Sequence, residues 1–118
     1  MAKILCIDAE SAALNICKRV LETADHQALT ARSGEEGIQL FRSEPFDLVL
    51  LAYWMPAMNG IATARELKRI NPLVPVVILS RFSQLPDETI GIVDRWILKD
   101  DGPQFLLNTI KAVLQRSA

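Results

Sequence analysis

The sequence predicts one α/β domain, residues 1–118, in which a parallel β-sheet lies between two layers of helices. Five short apolar runs alternate with stretches whose apolar residues recur at every third or fourth position. Continuous aliphatic runs suit strands that are buried on both faces, whereas the wider spacing is typical of amphipathic helices. Unbroken alternation of strand and helix indicates parallel pairing, with helices on both faces of the sheet.

Composition and charge exclude several classes of protein. Hydrophobic residues make up 50% of the chain and charged residues 23%, as in globular domains. A net charge of −1 favours neither a nucleic-acid surface nor a membrane surface. The longest nearly apolar run, Leu48 to Met58, contains Pro56 and is too short to span a bilayer. Since Met1 to Lys3 leads straight into a strand-like run, we expect no signal peptide and a cytoplasmic location.

In the first half of the chain, Ile4–Ile7 is the first predicted strand. The helix that follows has an apolar stripe at Ala13, Ile16, Cys17, Val20, Leu21 and Ala24. A weaker strand is predicted at Gln27–Ala31. Ser33 followed by Glu36 is a capping-box pattern, so a second helix begins after Ser33. That helix should end before Pro45, because the residue before a proline disfavours helical geometry.

In the second half, the predicted strands are Leu48–Leu51, Val76–Leu79 and Trp96–Leu98. Asn59 is a good N-cap for the third helix, which Pro72 ends. A short helix at Pro86–Val93 is weakly indicated, because the stretch contains a glycine. Pro103 is favoured at the first position of the last helix, since its missing N–H is not needed there.

Four residues directly follow the clearest apolar runs, namely Asp8, Ala52, Ser80 and Lys99. In a flavodoxin-like three-layer fold, with strand order 2-1-3-4-5, ligands bind at the carboxyl ends of the strands, where the first and third strands meet. This topology would place Asp8 beside Ala52, with Ser80 and Lys99 facing them from the next two strands. The sequence therefore predicts a site at this edge of the sheet.

The stretch from Phe46 to Gly60 reads F-D-L-V-L-L-A-Y-W-M-P-A-M-N-G. It closely resembles the centre of a response-regulator receiver domain, whose pattern is roughly D-L-V-L-L-D-x-x-M-P-x-M-D-G. The resemblance runs from Lys3 to the end of the last helix, and its most specific piece is Met55–Gly60. It implies a role in phosphorelay (two-component) signal transduction, in which an Asp accepts a phosphoryl group with the help of Mg²⁺, a lysine and a hydroxyl.

This sequence departs from that family at the positions that carry the chemistry. The resemblance implies a receiver pocket of Asp8, Ala9, Glu10, Ala52, Ser80 and Lys99. Ala52 stands in place of the acceptor Asp, and its methyl group is not a nucleophile. Ala9 stands in place of the main metal-binding acid. We therefore expect no catalytic residue, no enzymatic activity and no cofactor, with Mg²⁺ bound only if the vestigial Asp8 and Glu10 still hold it.

Two further departures lie next to pocket residues. Arg81 occupies a position where the family usually has a small residue, and Asp100 follows Lys99 where the family usually has proline. Asp8 and Lys99 share one edge of the predicted sheet. We expect a structural salt bridge between them rather than a metal site, because a buried lysine without a partner would be unfavourable.

Three residues are candidates for a switch or an interface. Trp96 stands in the place of the family's aromatic switch residue, and we interpret it mainly as a packing residue. Ser80 either bonds the loop backbone or takes part in the switch. Trp54, next to Tyr53 on a predicted loop, is a candidate for an interface, since aromatic residues are enriched there.

The remaining metal-ligating and redox residue types form no motif. Cys6 and Cys17 are eleven positions apart, which matches no metal or redox spacing. We expect both cysteines to be reduced and buried. His26 has no acidic or Cys partner at a ligand spacing, and we interpret it as a surface residue.

The favoured hypothesis is a pseudo-receiver, a phosphorylation-independent protein-interaction module. Its partner would be a sensor histidine kinase or another signalling protein, and a homodimer is compatible with the sequence. An alternative is an ordinary phosphorylatable receiver in which residue 52 alone has been substituted. That alternative does not explain the other departures, at Ala9, Trp54, Arg81 and Asp100.

A third hypothesis is an enzyme or cofactor binder built on the same kind of sheet. Phosphate-binding loops that follow the first strand usually present glycines or hydroxyls. Here the loop is Asp8–Ser11, whose two acids would repel a phosphate, and the chain has no Gly-x-Gly or Gly-Lys-Ser/Thr pattern. The sequence therefore favours a signalling module over an enzyme.

Overall fold

The computed structural model describes residues 1–81 and 91–117. Its strands are β1 (Lys3–Ile7), β2 (Gln27–Ala31), β3 (Leu48–Ala52), β4 (Val76–Ser80) and β5 (Arg95–Leu98). Its helices are α1 (Ser11–Thr23), α2 (Gly34–Ser43), α3 (Gly60–Ile70) and α4 (Pro103–Ser117). All strand pairs are parallel, and the order is β2-β1-β3-β4-β5. The predicted fold class and strand order are confirmed.

Two apolar cores, one on each face of the sheet, hold these layers together. Alternate residues of a strand point to opposite faces. On one face the core includes Leu5, Ile7, Val49, Leu51, Ile38, Phe41, Ala64 and Leu67. On the other face it includes Ile4, Cys6, Leu48, Leu50, Leu14, Leu21, Leu106 and Ile110. Burial on both faces explains why the central strands are continuously apolar.

Two helix starts have the predicted caps. The Ser33 hydroxyl accepts the Glu36 N–H at 3.1 Å, and the Asn59 side chain accepts the Ala62 N–H at 2.9 Å. The second half of the capping box differs from the prediction. The Glu36 carboxylate accepts the N–H of Arg32, at 3.3 Å, rather than that of Ser33. The bonds to the Ser33 and Asn59 side chains satisfy N–H groups of the first helical turn that have no partner within the helix.

Some element boundaries differ from the prediction. The prediction placed Ala52 and Ser80 just after their strands, but they are the last residues of β3 and β4. Helix α1 begins at Ser11, before its first apolar stripe residue. The helix predicted at Pro86–Val93 falls mainly on residues 82–90, which lie outside the described residues. In the part of the chain that is described, no helix is long and apolar enough to cross a membrane.

His26 has a structural contact that the sequence did not predict. It is half-buried, and its Nδ1 accepts the N–H of Ala2 at 3.1 Å. Burial lowers the pKa of His26, and the positive amino terminus lowers it further. The negative charge of Asp25 raises this pKa but does not cancel the other two effects. His26, which the sequence indicated only as a surface residue, thus also has a structural contact, because the turn before β2 brings it against the start of β1.

We expect this contact to make the protein less stable in mild acid. A protonated Nδ1 cannot accept a hydrogen bond, and the unfolded chain, with a His pKa near 6.5, binds the proton more readily than the folded chain. The contribution of His26 is therefore present above pH 6.5 and is lost as the pH falls through 6.5 toward the lower folded pKa. Urea unfolding between pH 8 and pH 5 measures it. His26→Gln keeps an acceptor that does not titrate, and an unchanged pH dependence in this variant would contradict the assignment.

Candidate functional site

The carboxyl ends of β1, β3, β4 and β5 form one edge of the sheet. Strand register places Ile7 opposite Leu51 and Ser80 opposite Leu98, so the residues that follow these strands meet there. A cavity of about 250 Å³ opens at this edge. Its walls include Glu10, Ala52, Trp54, Ser80, Arg81 and Lys99. The structure thus brings together most of the side chains that the sequence indicated. Asp8 is linked to the cavity by its salt bridge with Lys99, which lines the wall. Ala9 packs against the apolar core that includes Leu5 and Ile7.

The predicted salt bridge between Asp8 and Lys99 is present. The Lys99 ammonium lies 2.9 Å from a carboxylate oxygen of Asp8, and the other oxygen accepts the Glu10 N–H at 3.0 Å. The side chains are 9% exposed for Asp8 and 21% for Lys99. With so little water at the carboxylate, the ammonium and the backbone N–H replace hydration that burial removes. Asp8 is therefore engaged before any ligand enters the cavity.

A short 3-10 turn, Lys99–Asp101, holds Lys99 at the end of β5. The Asp101 carboxylate accepts the Leu98 N–H at 3.2 Å, and Gly102 has a φ of 89° before α4 begins at Pro103. The sequence predicted the helix start at Pro103 but not this turn. The turn occupies the place where the family usually continues with proline.

Glu10 pairs with two cations across the cavity. Its carboxylate lies 2.5 Å from an Arg81 guanidinium nitrogen and 3.7 Å from the Lys99 ammonium. The Arg81 and Glu10 side chains are 64% and 51% exposed, so solvent weakens their attraction. The sequence marked Arg81 only as a departure and did not predict its pairing. The sequence did contain a signal for this pair, because Glu10 and Arg81 have opposite charges and follow β1 and β4, which end at the same edge of the sheet.

Two carboxylates are left in this site, those of Asp8 and Glu10. Mg²⁺ takes oxygen ligands in near-octahedral geometry, with one or two carboxylates available to it. Both remaining acids, Asp8 and Glu10, are paired with cations, and the positions of Ala9 and Ala52 offer only methyl groups. Within residues 1–81 and 91–117, no three His, Cys, Asp or Glu side chains form a group that could hold a metal ion.

The two tryptophans differ from each other in their surroundings. Trp54 lies at the cavity and is 70% exposed, which is unusual for a large aromatic side chain. Trp96 is 37% exposed, so most of its surface is covered, and its role mainly in packing stays a prediction. It lies on the edge strand β5, where the neighbouring Ile97 points into the core instead.

The two cysteines are free thiols, as the sequence predicted, but only Cys6 is fully buried. Cys17 is half-buried, and its sulfur lies 3.8 Å from that of Cys6. Sequence spacing missed this contact because one residue is on a strand and the other on a helix. The signal was that Cys17 belongs to the apolar stripe of α1, which packs over β1.

The chain belongs to the response-regulator receiver domain family, whose model matches residues 4–111. It is therefore a receiver domain of the kind found in two-component response regulators.

Particular relatives agree with this assignment. The chain is 33% identical over 119 residues to Protein PilH of Pseudomonas aeruginosa, covering 97% of this chain and 98% of PilH. It is 32% identical over 117 residues to the probable transcriptional regulator ycf27 of Porphyridium aerugineum, covering 97% of this chain and 48% of that protein. It thus spans about half the length of several curated regulators that it matches. A solved receiver domain protein from Clostridium thermocellum superposes with a TM-score of 0.90 at 33% identity, covering 98% of this chain and 96% of that chain.

Proposed function

We propose that this receiver domain is a pseudo-receiver that works without phosphorylation, as a protein-interaction module in a two-component pathway. One observation carries the proposal. Ala52 is the last residue of β3, at the cavity wall, and it is only 2% exposed. The position from which a receiver's carboxylate would attack a phosphoryl donor therefore presents a methyl group, which has no electron pair to form the bond.

The charge network supports the same proposal. Lys99, whose counterpart in the family contacts the phosphoryl oxygens, is bound to Asp8 and lies near Glu10. Arg81 crosses the cavity to Glu10. These ion pairs engage both carboxylates that remain in the site. We further propose that the domain is not an enzyme, needs no cofactor and binds Mg²⁺ very weakly.

The partner surface proposed here includes Trp54. A tryptophan that is 70% exposed beside a charged cavity resembles the aromatic anchors of protein interfaces. The partner would be a sensor histidine kinase, another signalling protein or a second copy of the chain. A cytoplasmic location is compatible with two free thiols.

The alternative, an ordinary receiver substituted at residue 52 alone, is less well supported. It leaves Ala9 unexplained, because that position also lacks the acid that would hold a metal. It also leaves unexplained the pairing of Arg81 with Glu10, which occupies one of the remaining carboxylates. Loss of the nucleophile together with an altered charge network favours a site that has changed as a whole.

Acetyl phosphate in the presence of Mg²⁺ tests the proposal. We expect no phosphorylated species by intact mass, because no carboxylate is present at residue 52. Tryptophan fluorescence during a Mg²⁺ titration should remain flat, since Trp54 lies at the cavity and would report binding there. A hydroxylamine-sensitive adduct on the natural chain, at any acidic side chain of the pocket, would refute phosphorylation independence.

A further inference from the structure

Two sulfur atoms lie close together on the face of the sheet that α1 and α4 cover. Cys6 is on β1 and Cys17 is on α1, and their Sγ atoms are 3.8 Å apart. A disulfide has an S–S length of about 2.05 Å, so the sulfurs must approach by less than about 2 Å. Closing this distance requires a change in the side-chain rotamer of one or both cysteines.

The surroundings give the two thiols different roles. The hydrogen bond between the sulfurs, together with burial, raises the pKa of Cys6. The same hydrogen bond lowers the pKa of Cys17, with a smaller contribution from Lys99, while burial and Asp8 oppose it. The thiolate is the reactive form of cysteine, and Cys17 is the less buried of the two residues, so an oxidant reaches Cys17 more readily than Cys6. The Cys6 sulfur lies close enough to react with an oxidised sulfur at Cys17.

A cavity gives small molecules access to this pair. It has a volume of about 270 Å³, and its walls include Cys6, Cys17, Ile16, Leu50, Lys99 and Leu106. A water molecule occupies about 30 Å³ in the liquid, so the cavity accommodates an oxidant of a few heavy atoms. Ile16, which lies at the cavity wall, is 65% exposed, so the cavity wall extends to the surface of the protein at α1.

We propose that Cys6 and Cys17 are a redox pair, which a hydroperoxide oxidises to a reversible intramolecular disulfide. The Cys17 thiolate attacks the peroxide oxygen, the O–O bond breaks, and Cys17 becomes a sulfenic acid as the other oxygen leaves as water or an alcohol. The Cys6 sulfur then attacks the Cys17 sulfur and displaces the hydroxyl as water. Two thiols thus supply the two electrons that reduce one peroxide, and a dithiol reductant reverses the change.

A disulfide between Cys6 and Cys17 would restrict the movement of the segment that connects β1 to α1. Residues 7–16 lie between the two cysteines and carry Asp8 and Glu10. Oxidation would tie α1 to β1 and restrain the loop that holds both carboxylates of the site. In reducing compartments, disulfides are usually transient and redox-sensing, which suits a signalling domain. The inference rests on the sulfur geometry and does not depend on whether residue 52 accepts a phosphoryl group.

Titration of the folded protein with hydrogen peroxide tests this pair. We expect the chain to lose both free thiols and a mass of two hydrogen atoms, to remain monomeric on non-reducing gels, and to recover both thiols with dithiothreitol. Two free thiols after treatment, sulfinic acid on Cys17 with Cys6 still reduced, or covalent dimers as the main product would each overturn the proposal.

Cysteine variants separate the two steps. Cys17→Ser should react at least about tenfold more slowly than the natural chain, because only the buried thiol remains. Cys6→Ser should stop at a sulfenic acid on Cys17, which dimedone labels. Cys6→Ala and Cys17→Ala are the second pair, in case a buried hydroxyl unfolds the serine variants. Equal rates for Cys17→Ala and the natural chain would show that Cys17 is not the reacting residue.

Discussion

Restoring two acids should convert the cavity at the strand ends into a metal-binding, phosphorylatable pocket. In the double variant Ala9→Asp with Ala52→Asp, we expect Mg²⁺ affinity to rise by about a hundredfold or more. Two unit charges 4 Å apart interact by about 4 kcal/mol near a protein surface, and hydration removes part of this gain. Acetyl phosphate should then label the carboxylate at residue 52, because Lys99 and Ser80 already lie at the same strand ends. Fluorescence of Trp54 reports the metal, and intact mass reports the label.

The single variants are matched controls for this prediction. Ala9→Asp should bind Mg²⁺ more tightly than the natural chain but should take no label, since residue 52 remains a methyl group. Ala52→Asp supplies a nucleophile without the second new acid and should be labelled slowly. If the double variant folds but neither binds Mg²⁺ nor accepts a phosphoryl group, the cavity is not arranged as a receiver pocket.

Gly60→Ala should be among the most destabilising single changes in the chain, lowering the free energy of unfolding by about 3 kcal/mol. A Cβ at this position would lie 2.6 Å from the Ala52 carbonyl oxygen and 2.8 Å from Tyr53 Cα. Both atoms belong to the backbone, so no side-chain rotation relieves the contact. The Gly60 N–H also donates to the Tyr53 carbonyl at 2.7 Å, and that bond would lengthen as the start of α3 moves away. Urea unfolding followed by circular dichroism measures the loss.

Gly34→Ala is the control for the loss of a buried glycine. The added Cβ would lie too close to the Thr63 hydroxyl oxygen, and rotation of the Thr63 side chain relieves this contact at the cost of one hydrogen bond, to the Asn59 carbonyl, of about 1 kcal/mol. Its effect should therefore be clearly smaller than that of Gly60→Ala. Equal losses in the two variants would mean that the close backbone approach at Gly60 has no special role.

The fold was predictable because its main signals are local. A run of four aliphatic residues, Leu48 to Leu51, indicates a strand covered on both sides, whatever surrounds it. The caps at Ser33 and Asn59 depend on hydrogen bonds to residues three positions away. The parallel direction of the strands follows from the alternation of strands and helices along the chain. The pocket positions, by contrast, came from the resemblance to receiver domains, which located the substitutions at Ala9 and Ala52.

The sequence by itself thus determined the architecture, the family resemblance and the absence of a carboxylate at residue 52. The tertiary structure decided which distant groups meet. Glu10 and Arg81 are 71 positions apart and pair only because β1 and β4 end at the same edge of the sheet. The exposure of Trp96 follows from the edge position of β5, and the contact between Cys6 and Cys17 follows from the packing of α1 on β1. Periodicity shows which face a residue occupies within its own element, whereas such contacts depend on how elements are arranged in space.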